Sequence, residues 1–192
     1  MVMTAEENER LTRVGPGTPM GELLLRYWQP VCAAADLPDA SPRRRVRVLG
    51  EDLVILRLPD GTLTALAERC SHRGASLYYG FIEDGGVRCA YHGWKYDASG
   101  QCVDQPFEPN PKFKQHICQR SYPVRRLAGL LFAYLGPEPA PLLPRWDVTV
   151  RSDGSRQLTV HDVLHANWLV AMENAVDTVH THFLHGQVMR ST

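Results

Sequence analysis

Two matched pairs of residues in this chain are of the types that hold soft transition metals. Cys70-Ser71-His72 is followed, after sixteen intervening residues, by Cys89-Ala90-Tyr91-His92. Each pair offers one thiolate and one imidazole. Two thiolates suit one ferric ion of a [2Fe–2S] pair and two imidazoles suit the other, and replacing thiolate by imidazole raises the reduction potential. Such a site accepts electrons from a lower-potential donor. The same residue types also permit a Cys2His2 zinc site. Zinc fingers, however, pair Cys with Cys and His with His, whereas each pair here is mixed. Gly74, Gly80 and Gly93 let backbone approach a cluster. Tyr91, Trp94 and Tyr96 are placed either to shield it from water or to serve as ordinary core aromatics.

A second group lies near the end of the sequence, in Glu173-Asn174-Ala175-Val176-Asp177-Thr178-Val179-His180-Thr181-His182-Phe183-Leu184-His185-Gly186. On a regular helix, His180 and His185 stand about 140° apart and meet at one ion only if the helix ends or bulges between them. His182 and His185 share a face more naturally. A histidine-rich helix end can also be a favourable dipole contact alone. Spacing by itself does not choose among these.

The elements that must position these groups are mostly strands. Thr18-Pro19 reads as a helix start, and Met20, Leu24 and Tyr27 carry a short amphipathic helix to about Tyr27. Val46 and Val48 alternate with Arg45 and Arg47. Leu53 to Leu58, the turn Pro59-Asp60-Gly61 and Leu63 to Ala67 form a hairpin, and Asp97 to Gly100 turns a second one. Leu130 to Leu135 is another buried strand. Pro137, Pro139, Pro141 and Pro144 make a linker, because proline removes backbone donors. A short strand at Leu158 to Val160 and a helix from near Asn167 follow. The expected division is 1–43 for the N-terminal helix and lead-in, 44–136 for the β domain, 137–146 for the linker and 147–192 for the start of a second domain.

Composition sets outer bounds. The chain has 192 residues, 44% hydrophobic and 22% charged, enough for a sizeable core. Lys+Arg and Asp+Glu both count 21, so nothing points to nucleic acid or an anionic membrane. The basic run Arg43, Arg44, Arg45 and Arg47 reads as a solvated strand edge, which blocks aggregation, or as a docking patch for an acidic partner. The acidic N-terminus has no signal-peptide core, and no apolar run nears the roughly 18–20 residues that span a bilayer. A soluble, cytoplasmic protein is expected. There, five cysteines favour metal binding over disulfides. Cys32, Cys102 and Cys118 read as packing residues, and His116, His161 and His165 match no motif.

Cys-Ser-His-Arg-Gly and Cys-Ala-Tyr-His-Gly-Trp-Lys-Tyr-Asp resemble the Rieske domain of bacterial Rieske non-haem iron oxygenases. The stretch Gly17 to Val31 (GTPMGELLLRYWQPV) resembles the start of the phthalate-dioxygenase-like branch. Ser71 departs from the proline many relatives carry. The resemblance implies an all-β, antiparallel Rieske [2Fe–2S] domain followed by the start of an α+β, helix-grip-type catalytic domain. It implies that Cys70, His72, Cys89 and His92 hold the cluster. It implies that His180 and His185 are two ligands of a mononuclear Fe(II), with His182 a neighbour. Asp177 resembles the aspartate that bridges an iron histidine to a cluster histidine of the adjacent subunit, and Glu173 and Asn174 resemble supporting positions. The third iron ligand of the family is a carboxylate far downstream, so an N-terminal portion of a longer subunit is expected. The implied activity is O2-dependent hydroxylation of a small aromatic substrate. Monooxygenation such as demethylation is the alternative, and a Rieske ferredoxin a more distant one. The implied partners are an NADH-dependent reductase carrying flavin and an iron–sulfur centre, and further copies of the chain in a trimer or hexamer.

Overall fold

The structure, a computed structural model, describes residues 3–159 and 164–186. Two helices open the chain. α1 (Ala5–Thr12) starts at Thr4, whose hydroxyl accepts from Glu7 N while the Glu7 carboxylate accepts from Thr4 N. α2 (Pro19–Leu24) is capped by Thr18 with proline in its first turn. It stops at Leu24 rather than Tyr27, because the Gln29 side chain donates to Leu24 O at 2.8 Å and to Tyr27 O at 3.2 Å, taking carbonyls that a longer helix would use.

Among the described residues ten strands follow: β1 (Gln29–Ala33), β2 (Arg43–Val48), β3 (Glu51–Arg57), β4 (Leu63–Ala67), β5 (Phe81–Glu83), β6 (Gly86–Arg88), β7 (Lys95–Tyr96), β8 (Cys102–Asp104), β9 (Ser121–Leu127) and β10 (Leu130–Ala133). They form a six-stranded sheet in the order β1-β10-β9-β4-β3-β2 and a four-stranded sheet in the order β5-β6-β7-β8. Every pairing is antiparallel. Both expected hairpins form, β3–β4 around Asp60 and β7–β8 around Asp97. Each aspartate caps its own turn, with Oδ1 accepting from Thr62 N and from Ser99 N at 2.8 Å.

β3 is buried on both faces. Val54 and Leu56 pack with Leu66, Leu77, Val87 and Tyr96, between the two sheets. Leu53 and Ile55 pack with Cys32, Leu37, Ala65 and Leu131, on the concave side of the larger sheet, which curls until β1 and β2 meet. Two-sided burial is why this strand reads as a continuous apolar run. β1 adds to that second core through Cys32, so residues 29–33, expected in the lead-in, sit in the main sheet.

β2 is an edge strand, and its arginines have internal partners. Arg47 pairs with Asp52 at 2.8 Å, Arg45 with Glu68 at 3.2 Å and Arg44 with Asp36 at 3.8 Å, while Arg43 donates to Gly80 O. This supports the edge reading.

The proline segment carries no helix or strand, but it is fastened to the domain. Trp28 Nε1 donates to Pro141 O and Tyr134 Oη to Pro137 O, both at 2.8 Å. Beyond it lie α3 (Asp147–Val150), α4 (Trp168–Val176) with its Asn167 cap, and α5 (Thr178–His180), which runs into a π-helical turn, Thr181–His185. Trp168 Nε1 reaches back to Leu11 O of α1 at 3.0 Å. The strand expected at Leu158 does not form there, and Val160 and His161 lie outside the described residues.

The two-sided burial of β3 is directly testable. Ile55→Ala and Leu56→Ala should each destabilise by about 2–5 kcal/mol in urea unfolding, since both side chains are fully enclosed. A sheet with one wet face would leave one of the two substitutions nearly neutral.

Candidate metal centre

The two loops that carry the Cys/His pairs close in the same way. Cys70 N–H donates to Ala75 O and Gly74 N–H to Cys70 O, at 2.9 and 2.8 Å. Cys89 N–H donates to Trp94 O and Gly93 N–H to Cys89 O, at 2.8 and 3.0 Å. The closing glycines have φ of +69° at Gly74 and +74° at Gly93, a region in which a side chain is strained. The first loop leaves the end of β4, and the second joins β6 to β7.

The loops point thiols inward and imidazoles outward. Cys70 and Cys89 are both 3% exposed, within the core shared with Leu56, Leu77 and Tyr96. The rings of His72 and His92 meet edge-on with centroids 4.5 Å apart, and Trp94 stacks on His72 at 4.3 Å and 7°. Tyr96 is fully buried, whereas Tyr91 is exposed and leans on His92 at 3.8 Å. An open groove of about 480 Å³ lies over the imidazoles, bounded by Trp94 and the wholly exposed Phe107.

The donor set fits a [2Fe–2S] cluster. His72 Nδ1 is buried with no hydrogen-bond partner, an unmet demand that a metal ion would satisfy. Burial, the facing His92 and Arg73 all lower the His72 pKa, keeping the imidazole neutral and able to bind metal. Burial pushes the Cys70 thiol up, so a thiolate there needs a cation to offset it.

Two side chains that sequence reasoning passed over fasten the loops. Arg88, just before Cys89, donates to both Glu83 oxygens at 2.8 and 3.1 Å, to Asp104 Oδ2 at 2.8 Å and to Gly93 O at 2.7 Å. It ties β5, β6, β8 and the second loop together. Gln119 is 2% exposed and uses its whole carboxamide on the first loop. Its Nε2 donates to Ala67 O and Arg69 O at 2.8 Å, and its Oε1 accepts from Ser71 N at 2.9 Å. Neither belongs to a motif; adjacency to Cys89 was the only available hint for Arg88. Of the remaining cysteines, Cys32 and Cys102 are buried as expected, but Cys118 is exposed.

The C-terminal histidines also come together. The π-helical turn widens the helix between His180 and His185, and their ring centroids lie 5.5 Å apart. His182 faces Phe183 instead, at 5.1 Å. Asp177 ends α4 and caps α5: Oδ1 accepts from Val179 N at 2.9 Å and His180 N at 3.4 Å. Oδ2 lies 3.3 Å from His180 Nδ1, within ion-pair reach but outside hydrogen-bond alignment. The bond from Val179 N, foremost, lowers the Asp177 pKa, and the bond from His180 N and the nearby His180 ring add to it. Among the described residues no third His, Cys, Asp or Glu joins a pair to complete a mononuclear site, and no helix is long and apolar enough to cross a membrane.

Comparison with known proteins bears on the domain that carries the two Cys/His loops. The model of the Rieske [2Fe–2S] domain matches residues 27–123. The 5,5'-dehydrodivanillate O-demethylase oxygenase subunit of Sphingobium sp. is 44% identical over 96% of this chain, which spans 44% of that protein. The phthalate 4,5-dioxygenase oxygenase subunit of Pseudomonas putida is 37% identical over 96% of the chain and 42% of its own length. The chain thus spans less than half of these curated relatives. Among solved structures, NdmA of Pseudomonas putida CBB5 superposes with a TM-score of 0.70 at 28% identity, over 86% of this chain and 51% of that one. The oxygenase in the reduced oxygenase–ferredoxin complex of carbazole 1,9a-dioxygenase does so with a TM-score of 0.55 at 30% identity, over 62% and 30%.

The Arg88 network carries a pH signature. Arg88 holds the Glu83 and Asp104 carboxyls below their ordinary values of 4.5 and 3.8. Depressed carboxyl pKa values stabilise the fold above those ordinary values, and the contribution fades as pH falls through the folded ones. Arg88→Met should therefore lower the thermal midpoint at neutral pH. The gap to the parent chain in thermal midpoint should narrow below about pH 4. A gap that stays constant with pH would show that the carboxylates contribute nothing through Arg88.

Proposed function

The chain belongs to the Rieske [2Fe–2S] domain family, and from that membership we propose that it carries the electron-accepting centre and part of the iron site of a terminal oxygenase. Cys70, Cys89, His72 and His92 are the proposed cluster ligands. His180 and His185 are the proposed ligands of a mononuclear Fe(II), with Asp177 beside them. The observation that carries the reading is the convergence of His180 and His185 on the π-helical turn, in the same chain as the cluster loops. An electron-carrying Rieske ferredoxin has no use for that second imidazole pair.

When bound, the cluster supplies one-electron transfer and the Fe(II) supplies O2 activation beside an aromatic substrate. The residues of this chain prepare both sites. The hydrophobic core keeps water from the two thiols. Trp94 fixes the plane of His72, and the open groove leaves the imidazole side approachable. Asp177 stays ionised and can hold a proton on His180 Nδ1, fixing the tautomer that leaves the other nitrogen free for metal. The 44% identical relative is named as an O-demethylase and the 37% identical one as a dioxygenase, so hydroxylation and demethylation both remain as outcomes of this machinery. Electrons are proposed to come from an NADH-dependent flavin and iron–sulfur reductase in the cytoplasm. We propose that Asp177 bridges His180 to a cluster histidine of an adjacent copy, within a cyclic oligomer that is a trimer or a pair of trimers.

Loaded anaerobically, the chain should hold two irons and two acid-labile sulfides with a Rieske-type EPR signal when reduced. His72→Ala and His92→Ala should each abolish both. Zinc without labile sulfide would overturn the assignment of the four ligands.

Asp177→Asn keeps the shape of the side chain but loses its charge. In the oligomeric oxygenase, single-turnover oxidation of the cluster with substrate and O2 should collapse while iron content is largely retained. If Asp177 only caps α5, oxidation should proceed normally and stability should hardly change, because asparagine caps a helix about as well as aspartate.

A further inference from the structure

The residue between the first two proposed cluster ligands has a second use. Ser71 Oγ lies 2.9 Å from Tyr96 Oη, and Tyr96 Oη lies 3.2 Å from Cys70 Sγ. Tyr96 is fully buried, with its phenol in the core beneath the cluster loops, while Ser71 sits at the surface. The direction of these contacts follows from donor counting. A metal-bound thiolate has no proton and only accepts, so the single Tyr96 proton goes to Cys70 Sγ. The Tyr96 oxygen is then left as an acceptor, and the Ser71 hydroxyl donates to it. Hydrogen bonds in such a chain polarise one another, each strengthening the next.

We infer that Ser71 acts through Tyr96 to raise the reduction potential of the cluster. A donor on a ligand sulfur stabilises the reduced, more electron-rich cluster more than the oxidised one. Tyr96 supplies that donor, and Ser71 polarises and orients it as a positioning residue. Residue 71 is thereby a tuning position. Proline there removes the hydroxyl, and it also removes the N–H that meets Gln119 Oε1 at 2.9 Å.

The inference rests on Cys70 being a cluster ligand, and the test separates the two claims. The full chain, with its cluster loaded, is titrated by EPR-monitored redox potentiometry, with labile sulfide measured on every sample. Tyr96→Phe should lower the one-electron equilibrium constant for reduction about tenfold, roughly 59 mV. Ser71→Ala keeps the backbone N–H and should shift the potential the same way by about a quarter as much, the size of cooperative polarisation. Ser71→Thr, which restores a hydroxyl, should return it to the parent value. The double variant Ser71→Ala/Tyr96→Phe should match Tyr96→Phe alone, because Ser71 acts only through the phenol. An unchanged potential in Ser71→Ala with sulfide intact would overturn the relay, and so would a Ser71→Ala shift that survives in the Tyr96→Phe background. Absence of labile sulfide from the parent chain would instead overturn the ligand assignment.

Discussion

Opposite solvation demands on four side chains, made by two short loops, govern this structure. The thiols of Cys70 and Cys89 must be dry, while the imidazoles beside them must reach the surface. A loop can do both only if it turns sharply enough to bring its own backbone back past the cysteine. The two Cys C=O to Gly N–H bonds make that turn, and the positive φ at Gly74 and Gly93 makes it possible. The rest of the domain supports this closure. The four-stranded sheet aims the second loop, the end of β4 aims the first, and Arg88 and Gln119 hold each to its neighbours.

The C-terminal histidines meet a related demand by another device. Two imidazoles five apart on one helix meet only if they share a direction, and five residues of regular α-helix do not supply it. One π-helical turn does, by widening the helix locally. Asp177 contributes on two levels at once. One carboxylate oxygen satisfies the first amides of α5, and the other faces the ring of His180. The cap thus places the carboxylate beside the imidazole it can orient, and the capping and orienting roles reinforce each other.

The charges along the β2 edge are met within the domain. The arginines of the edge strand β2 each meet an acidic side chain or a carbonyl. These contacts blunt an edge that would otherwise present unpaired backbone to another strand. Pairs this exposed contribute little stability individually. Arg88 differs, because its partners lie on separate strands and its bonds converge next to a cluster loop.

Local signals were readable wherever chemistry and periodicity coincide. The mixed Cys/His pairs, the β3–β4 and β7–β8 hairpins, the capped start of α2, the start of α4 near Asn167 and the proline segment all follow from residue type and short-range spacing. Strands β1 and β9 did not show, since Pro30 and Pro123 interrupt them and Arg125 and Arg126 dilute the apolar pattern. The early end of α2 was likewise not legible, since it is set by the side chain of Gln29 taking two of its carbonyls. Spacing left the choice among His180, His182 and His185 open, because a π-helical turn depends on how the helix is accommodated rather than on composition. Ser71 and Tyr96 lie in the two motifs and Gln119 in none, but nothing in the one-dimensional string, where they are tens of positions apart, says that they touch. Sequence alone determined which atoms could bind metal, since donor chemistry belongs to the residue. Only the tertiary structure decided which polar groups stand against those donors, because hydrogen-bond partners brought together across strands leave no trace in local spacing.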